Sequence, residues 1–202
     1  MFTIGITGGS GAGKTSALRA LQSLGAFTLD CDVVYHELLS NNQDLKSELE
    51  TRFNGIVQNG EVDRRKLAEI VFGDPEALID LNSITHKYVG EEIARRTSNL
   101  VNQGFTAVAI DAIALIESGR AEKCDIVVGV TAPKEMRISR IMARDGISRE
   151  LAERRIDAQK PDSYFEENCD YVLEGIYSEP GEFEDKCKEF FMKILFVNAE
   201  KN

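Results

Sequence analysis

The chain has few of the residues that build metal or disulfide frameworks. It contains no tryptophan, two histidines and four cysteines in 202 residues. The cysteines are Cys31, Cys124, Cys169 and Cys187, and no two of them form a C-x-x-C pair. This spacing argues against zinc and disulfide frameworks and favours small buried thiols in a reducing compartment. No apolar run approaches the length of a membrane span, so no membrane partner is expected.

Positive charge is also scarce. With 24 Lys and Arg against 34 Asp and Glu, the formal net charge is -10. This balance argues against nonspecific binding to nucleic acid, and no nucleic-acid partner is expected. The chain begins directly with a strand-like segment instead of a leader, so we expect a cytoplasmic protein. Its length suits one α/β core with an inserted subdomain.

A glycine-rich segment stands out against this background. Residues 8–15 read GGSGAGKT and fit the pattern G-x-x-x-x-G-K-[ST]. Residues 1–7 alternate like a strand, and apolar residues recur at helical spacing after the loop. In this context the loop predicts binding of a nucleoside triphosphate, since glycines let backbone N–H groups surround phosphates at a helix N-terminus.

The loop and its first helical residues are the predicted nucleotide-binding set. They are Gly9, Ser10, Gly11, Ala12, Gly13, Lys14, Thr15 and Ser16. Lys14 would reach the β- and γ-phosphates, and the Thr15 hydroxyl would hold Mg²⁺.

Acidic residues follow two predicted strands. The strand at residues 26–29 ends in Asp30 and Asp32, which would point the same way in an extended trace, towards Mg²⁺ or an acceptor hydroxyl. The alternative is a solvated turn or a cap on a helix starting near residue 33. The strand at residues 107–110 ends in Asp111, as a Mg²⁺-binding residue would. Glu117 is a further acidic candidate, with capping or solvent exposure as its alternative.

A basic helix follows the next predicted strand. Arg137, Arg140 and Arg144 are spaced three and four apart and share one helical face. Their guanidinium groups suit phosphate oxygens, which favours an anion-binding role. The alternative is a salt-bridged surface helix with Glu135 and Asp145.

The pattern of elements predicts three parts. A nucleotide-binding core comprises residues 1–32, 103–136 and 160–202, and residues 137–159 form a mobile helical lid whose second helix is capped by Ser148. Residues 33–102 read mostly helical and form an insert, in which Asp63 caps one helix and Pro75 begins another. His86 lies on that second helix, where a surface or capping role is the alternative to ligand contact. The fold class is α/β, with a parallel sheet flanked by helices.

Beyond the glycine loop, several segments match one family of enzymes. They are residues 4–9, 29–32, 59–67, 71–72, 84–86, 140, 144 and 158–159. In these segments the chain resembles the dephospho-CoA kinases over most of its length. The resemblance implies a P-loop kinase that transfers the γ-phosphate of ATP, with Mg²⁺, to the ribose 3′-hydroxyl of dephospho-CoA, the last step of coenzyme A synthesis.

The same resemblance implies roles for individual residues. Lys14, Asp32 and Arg140 become the catalytic candidates, with Asp32 engaging the acceptor hydroxyl as base or orienter. ATP contacts extend to Arg140 and Arg144, and Thr15 and Asp111 are the metal candidates. The acceptor-binding candidates are Asp32, His86, Asp111 and Glu117, and the helical insert would receive the CoA moiety.

The chain departs from the family pattern at three places. Residues 113–117 read IALIE where the family usually has PLLFE, and Lys87 replaces a proline. Glu174 and Gly175 stand where the family has an asparagine associated with the adenine, so base recognition is altered or supplied by backbone. The choice between ATP and GTP stays open.

Two rival functions stay open as well. One is another small-molecule or nucleoside monophosphate kinase, which residues 59–64 of the insert argue against. The other is a non-catalytic ATP-binding regulator, which the departures at Ile113 and Gly175 favour and the intact Lys14 and Asp32 oppose. For the oligomeric state we expect a monomer or a weak homo-oligomer.

Overall fold

The computed structural model describes residues 1–199. The chain divides into two compact units: residues 1–29 together with the chain from residue 100 onward, and residues 30–99. We call the first the sheet unit and the second the helical unit.

Within residues 1–199 the chain forms seven strands and nine α-helices. The strands are β1 Phe2–Thr7, β2 Phe27–Asp30, β3 Val57–Gln58, β4 Glu61–Val62, β5 Ala107–Asp111, β6 Ile126–Thr131 and β7 Tyr171–Glu174. The helices are α1 Lys14–Ser23, α2 Cys31–Asn41, α3 Gln43–Phe53, α4 Arg64–Gly73, α5 Pro75–Asn102, α6 Lys134–Asp145, α7 Arg149–Asp157, α8 Asp162–Asn168 and α9 Pro180–Ala199. None of the described helices combines the length and the apolar character needed to cross a membrane.

The sheet unit is built on five strands in the order β2-β5-β1-β6-β7. β1 pairs in parallel with β5 on one side and with β6 on the other, and β6 pairs in parallel with β7. Because these strands run the same way, the segments that follow β1, β5, β6 and β7 emerge at one edge of the sheet.

The core of the sheet unit lies between the sheet and helices α1 and α9. Ile4 and Ile6 of β1 are fully buried, as expected for a central parallel strand covered on both faces. On α9, Phe183, Cys187 and Phe191 are spaced four apart and form the buried stripe that packs in this core. Burial raises the pKa of the Cys187 thiol to about 12.

Helices α6 and α7 form a hairpin with a small core of its own. Ile138 and Ile141 of α6 cluster with Ala152 and Ile156 of α7. The predicted cap at Ser148 is confirmed, because its hydroxyl accepts a hydrogen bond from the N–H of Leu151 at 3.3 Å. We call this pair of helices the lid hairpin.

The helical unit contains a small β-hairpin in addition to helices. β3 and β4 pair antiparallel around Asn59 and Gly60, whose φ angles of 52° and 81° match the tight turn that Asn-Gly favours. The buried Lys46 ammonium holds this turn by donating to the Gly60 carbonyl at 2.6 Å. The sequence pattern predicts mostly helix in this region and does not predict the hairpin.

Two predicted helix starts in the helical unit are confirmed. The Asp63 carboxylate accepts from the N–H of Lys66 at 3.0 Å and caps α4. Helix α5 begins at Pro75, and the carboxylate of the preceding Asp74 accepts from the N–H of Glu76 at 2.9 Å.

Candidate active site

The glycine loop lies between β1 and α1 in the sheet unit. Gly13 is the N-cap of α1, and its φ of 119° is a conformation that residues with a side chain rarely adopt. The Gly13 carbonyl accepts from the N–H of Ser16 at 2.9 Å, so the first turn of the helix closes directly on the loop. The positive end of the α1 dipole therefore faces the loop, which favours an anionic ligand there.

Lys14 folds back onto the loop that precedes it. Its ammonium donates to the carbonyl of Gly8 at 2.7 Å and lies 3.4 Å from that of Gly9. Thr15 is exposed at the start of α1, whereas Ser16 is buried. The lysine charge and the threonine hydroxyl are therefore presented by the same helical turn.

Asp111 ends the strand next to β1. It stands in register with Ile6, and the N–H of Ala112 donates to the Ile6 carbonyl at 3.2 Å. Two residues on, the Ile113 carbonyl accepts from the Thr7 hydroxyl at 3.1 Å. Asp111 is thus brought to the sheet edge from which the glycine loop starts.

Ile113 and Glu117 follow Asp111 in a turn. The bond from Thr7 uses the main chain of residue 113, so it does not require the family's proline at that position. Glu117 lies further along the same turn with its side chain exposed.

Arg140 of the lid hairpin is lodged against the glycine loop. Its guanidinium donates to the carbonyl of Gly11 at 3.1 Å and to that of Gly175 at 2.8 Å. The same group lies 3.7 Å from the ring centroid of Tyr177, and Tyr177 stacks on Phe183 at 5.5 Å. Burial lowers the pKa of Arg140 from its ordinary value, although the group stays charged at neutral pH.

The other two arginines of the predicted set have different surroundings. Arg137 is only 4% exposed, donates to the carbonyl of Ser10 at 2.9 Å and forms an ion pair with Asp162. Burial lowers its pKa, and the Asp162 charge opposes that shift. Arg144 pairs with Asp145 at 2.6 Å and is mostly exposed, which is the salt-bridged surface arrangement given above as the alternative.

Gly175 follows β7 and packs against the glycine loop. A Cβ at this position would lie 2.1 Å from the carbonyl oxygen of Ala12, so no side chain fits there. Its N–H donates to the Thr131 carbonyl at 2.7 Å, and its own carbonyl accepts from Arg140. The departure from the family's asparagine therefore coincides with close packing of backbone on backbone.

Asp32 and His86 belong to the helical unit. Asp30 caps α2 by accepting from the N–H groups of Asp32 at 2.8 Å and of Val33 at 3.1 Å. The extended trace predicted from Asp30 to Asp32 is therefore wrong: the helix begins at Cys31, because the Asp30 carboxylate satisfies its first N–H groups. Asp32 is exposed in the first turn of α2, and His86 is half-buried on α5.

The residues proposed for Mg²⁺ are oxygen donors, as this hard cation requires. Thr15 and Asp111 both lie in the sheet unit, at the start of α1 and the end of β5. Among the described residues there is no group of three or more His, Cys, Asp or Glu side chains that could hold a metal. Mg²⁺ in kinases is held by one or two protein groups together with phosphates and waters, so the pair fits that kind of site.

Three side chains make contacts with the glycine loop that the sequence does not predict. Gln159 and Tyr177 contact the loop region from positions more than 140 residues away in sequence, and Arg137 was assigned to the ligand instead of the loop. Gln159 was marked only as part of a family segment. No local pattern in the sequence indicates contacts of this range.

Comparison of the sequence with known proteins identifies a family that matches most of this chain. The family model described as dephospho-CoA kinase matches residues 2–179. The dephospho-CoA kinase of Dehalococcoides mccartyi is 39% identical over 165 residues, which is 81% of this chain and 83% of that protein. The dephospho-CoA kinase of Corynebacterium jeikeium is 40% identical over 164 residues, covering 79% of this chain and 82% of that one.

A solved structure extends the likeness to the fold. The dephospho-CoA kinase of Campylobacter jejuni superposes with a TM-score of 0.70 at 25% identity, covering 97% of this chain and 98% of that one. The predicted P-loop kinase fold and the predicted family are confirmed. This chain belongs to the dephospho-CoA kinase family.

Proposed function

We propose that this protein transfers the γ-phosphoryl group of ATP to the ribose 3′-hydroxyl of dephospho-CoA. The observation that carries the proposal is the glycine loop itself, with Lys14 folded onto it and Arg140 lodged against it in a chain of this family. A loop that gathers a helix N-terminus, an ammonium and a guanidinium is suited to a triphosphate.

In this proposal Lys14 and Arg140 neutralise the charge that spreads over the transferred group. Phosphoryl transfer needs little covalent work from the protein, so catalysis consists mainly of alignment and electrostatic stabilisation. Arg140 is half-buried, which strengthens its interaction with a nearby phosphate relative to a fully solvated arginine. Residues 9–16 and Arg144 complete the proposed ATP contacts.

Mg²⁺ would be held by Thr15 and Asp111. When bound, it would offset part of the negative charge of the phosphates. The oxygen chemistry of these two side chains supports the assignment.

Acceptor recognition is assigned to Asp32, His86, Asp111 and Glu117, with the helical unit receiving the CoA moiety. Asp32 is the proposed base or orienter for the 3′-hydroxyl, and its exposure in the first turn of α2 leaves its carboxylate accessible to a ligand. The neighbouring Asp30 carboxylate is engaged as a helix cap, which supports Asp32 as the member of the pair that serves the acceptor.

We also propose a cytoplasmic location and a monomeric or weakly associated state. Cys124, Cys169 and Cys187 are free thiols, which supports a reducing compartment. The net charge of -10 supports a soluble protein with little tendency to self-associate.

The first experiment is incubation of the pure protein with MgATP and dephospho-CoA, beside a panel of nucleoside monophosphates, with products followed by mass. We expect one phosphate gained by dephospho-CoA and by none of the monophosphates. Transfer to another acceptor would contradict the proposed substrate, and bound ATP without any product would instead indicate a regulator. Replacing ATP with GTP in the same assay measures the base preference.

A further inference from the structure

Ser10 of the glycine loop is held at all three of its polar groups. Its N–H donates to Oε1 of Gln159 at 2.9 Å, and its hydroxyl accepts from Nε2 of the same side chain at 2.9 Å. Its carbonyl accepts from Nε of Arg137 at 2.9 Å. Arg137 lies on α6 of the lid hairpin, and Gln159 follows the end of α7. Ser10 therefore connects the glycine loop to the lid hairpin.

Gln159 suits this position because an amide carries an acceptor and donors on one rigid plane. Its two ends bond the N–H and the hydroxyl of a single residue, which limits the rotation of Ser10 about its backbone. Oε1 also accepts from Nη2 of Arg137 at 2.9 Å, so the glutamine and the arginine orient each other. Gln159 is half-buried, and Arg137 is 4% exposed.

Two glycines of the loop leave the space that Arg137 occupies. A Cβ at Gly9 would lie 2.0 Å from Nη2 of Arg137, and a Cβ at Gly11 would lie 2.7 Å from its carbonyl oxygen. These two glycines therefore make room for the start of α6, independently of any phosphate. The close approach keeps Arg137 beside Ser10, where Asp162 offsets its charge.

We propose that Gln159 is a positioning residue for nucleotide binding, which holds the glycine loop in its ligand-ready shape through Ser10. The inference rests on the proposed function only in identifying the loop's ligand as ATP. Gln159 itself need not touch the nucleotide. Its contribution is preorganisation: the loop does not have to be ordered when the triphosphate arrives.

The test compares Gln159→Leu with Asp157→Leu. Asp157 at the end of α7 binds Lys134 of α6 at 2.5 Å, so its loss loosens the hairpin without removing a bond to the loop. Hydrogen exchange of the Ser10 amide is measured without ligand, and KM for ATP, KM for dephospho-CoA and kcat are measured at steady state. Exchange of the β1 amides reports whether each variant is folded.

In Gln159→Leu we expect the Ser10 amide to exchange roughly tenfold faster and KM for ATP to rise about tenfold, the scale of one to two lost hydrogen bonds. KM for dephospho-CoA and the β1 exchange rates should stay within about twofold of wild type. Gln159→Glu keeps acceptors for the Ser10 N–H and for Arg137, so it should restore slow exchange at Ser10.

Three results would overturn the inference: an unchanged Ser10 exchange rate in Gln159→Leu, an equal change in Asp157→Leu, or a fall in kcat with KM for ATP unaltered. Because exchange is measured on the ligand-free protein, this arm decides the inference even where dephospho-CoA is not a substrate. Failure of the wild type to bind ATP would contradict the proposed function, while the exchange result still reports on Gln159 and Ser10.

Discussion

Tyr177 supports the arginine that is proposed to act on the transferred phosphate. Its ring is parallel to that of Phe183 within 12°, and the Arg140 guanidinium lies over it at 3.7 Å from the ring centroid. A cation held over an aromatic face gains about 0.5–2 kcal/mol, depending on how far it is desolvated. Tyr177 therefore limits the directions in which Arg140 can turn.

We expect Tyr177→Leu to lower kcat/KM about tenfold, because Arg140 loses the face on which it rests. Tyr177→Phe keeps the ring and should remain within about twofold of wild type. Tyr171→Leu is the matched control, because this tyrosine of β7 packs against Phe190 and not against Arg140. Equal losses in the Leu and Phe variants would contradict a role for the ring.

Asp30 and Asp32 are two residues apart, but we expect their substitutions to affect different properties, stability for Asp30 and catalysis for Asp32. Asp32→Asn removes the proposed base or orienter, and we expect kcat to fall about a hundredfold, the usual scale of acid–base assistance, with little change in melting temperature. Asp30→Ala removes the cap of α2 and should lower stability by about 1 kcal/mol.

Asp30→Asn is the control for this pair, since asparagine caps helices as well as aspartate does. It should match wild type in both thermal unfolding and steady-state kinetics. A near-wild-type kcat in Asp32→Asn would reduce Asp32 to a structural role.

At the scale of elements, the lid hairpin depends on its turn. Ser148 caps α7, and we expect Ser148→Ala to weaken that helix by about 1 kcal/mol. Amide exchange should accelerate in residues 149–157 and stay unchanged in α1. Ser139→Ala on the exposed side of α6 is the matched control, because its hydroxyl bonds only the carbonyl one turn earlier. Acceleration throughout the sheet unit would contradict a local effect.

The elements that could be predicted are those set by neighbouring residues. Strand β1, the caps at Asp63 and Ser148 and the start of α5 at Pro75 depend on a few adjacent side chains, and all are confirmed. The alternation expected in β1 is not seen in its burial, because residues 4–7 are all buried in a central strand. The β3–β4 hairpin was missed because each strand has only two residues, too few to show a period.

The same limit applies to the candidate site, where only the features set by neighbouring residues could be predicted. The glycine loop and the position of Asp111 follow from local sequence, whereas the surroundings of the arginines do not. Helical spacing placed Arg137, Arg140 and Arg144 on one face, but their partners come from distant segments: Ser10 for one, Gly11 and Gly175 for the second. Only the third, Arg144, pairs with its neighbour in sequence, Asp145.

For the whole molecule, the response to acid depends on which carboxylates are held ionised by the fold. Glu92 in the helical unit bonds Arg95 and Arg96, and Arg96 also pairs with Glu37. A hydrogen bond from Arg95, and to a smaller extent one from Arg96, lowers the pKa of Glu92 to about 2. Because the folded pKa lies below the unfolded one, this network stabilises the fold above about pH 4.5 and loses its effect as the pH falls towards 2.

We therefore expect Glu92→Gln to lower the free energy of unfolding by about 1 kcal/mol at pH 7, a modest value because Arg95 and Arg96 remain partly exposed. The difference between wild type and variant should shrink as the pH falls from 4.5 towards 2, because the wild-type carboxylate is then protonated as well. Denaturant unfolding at several pH values measures it, with Glu91→Gln on the exposed side of α5 as the control. A difference that stays constant down to pH 2 would show that Glu92 acts through packing, since only a charge-dependent contribution disappears when the carboxylate takes up its proton.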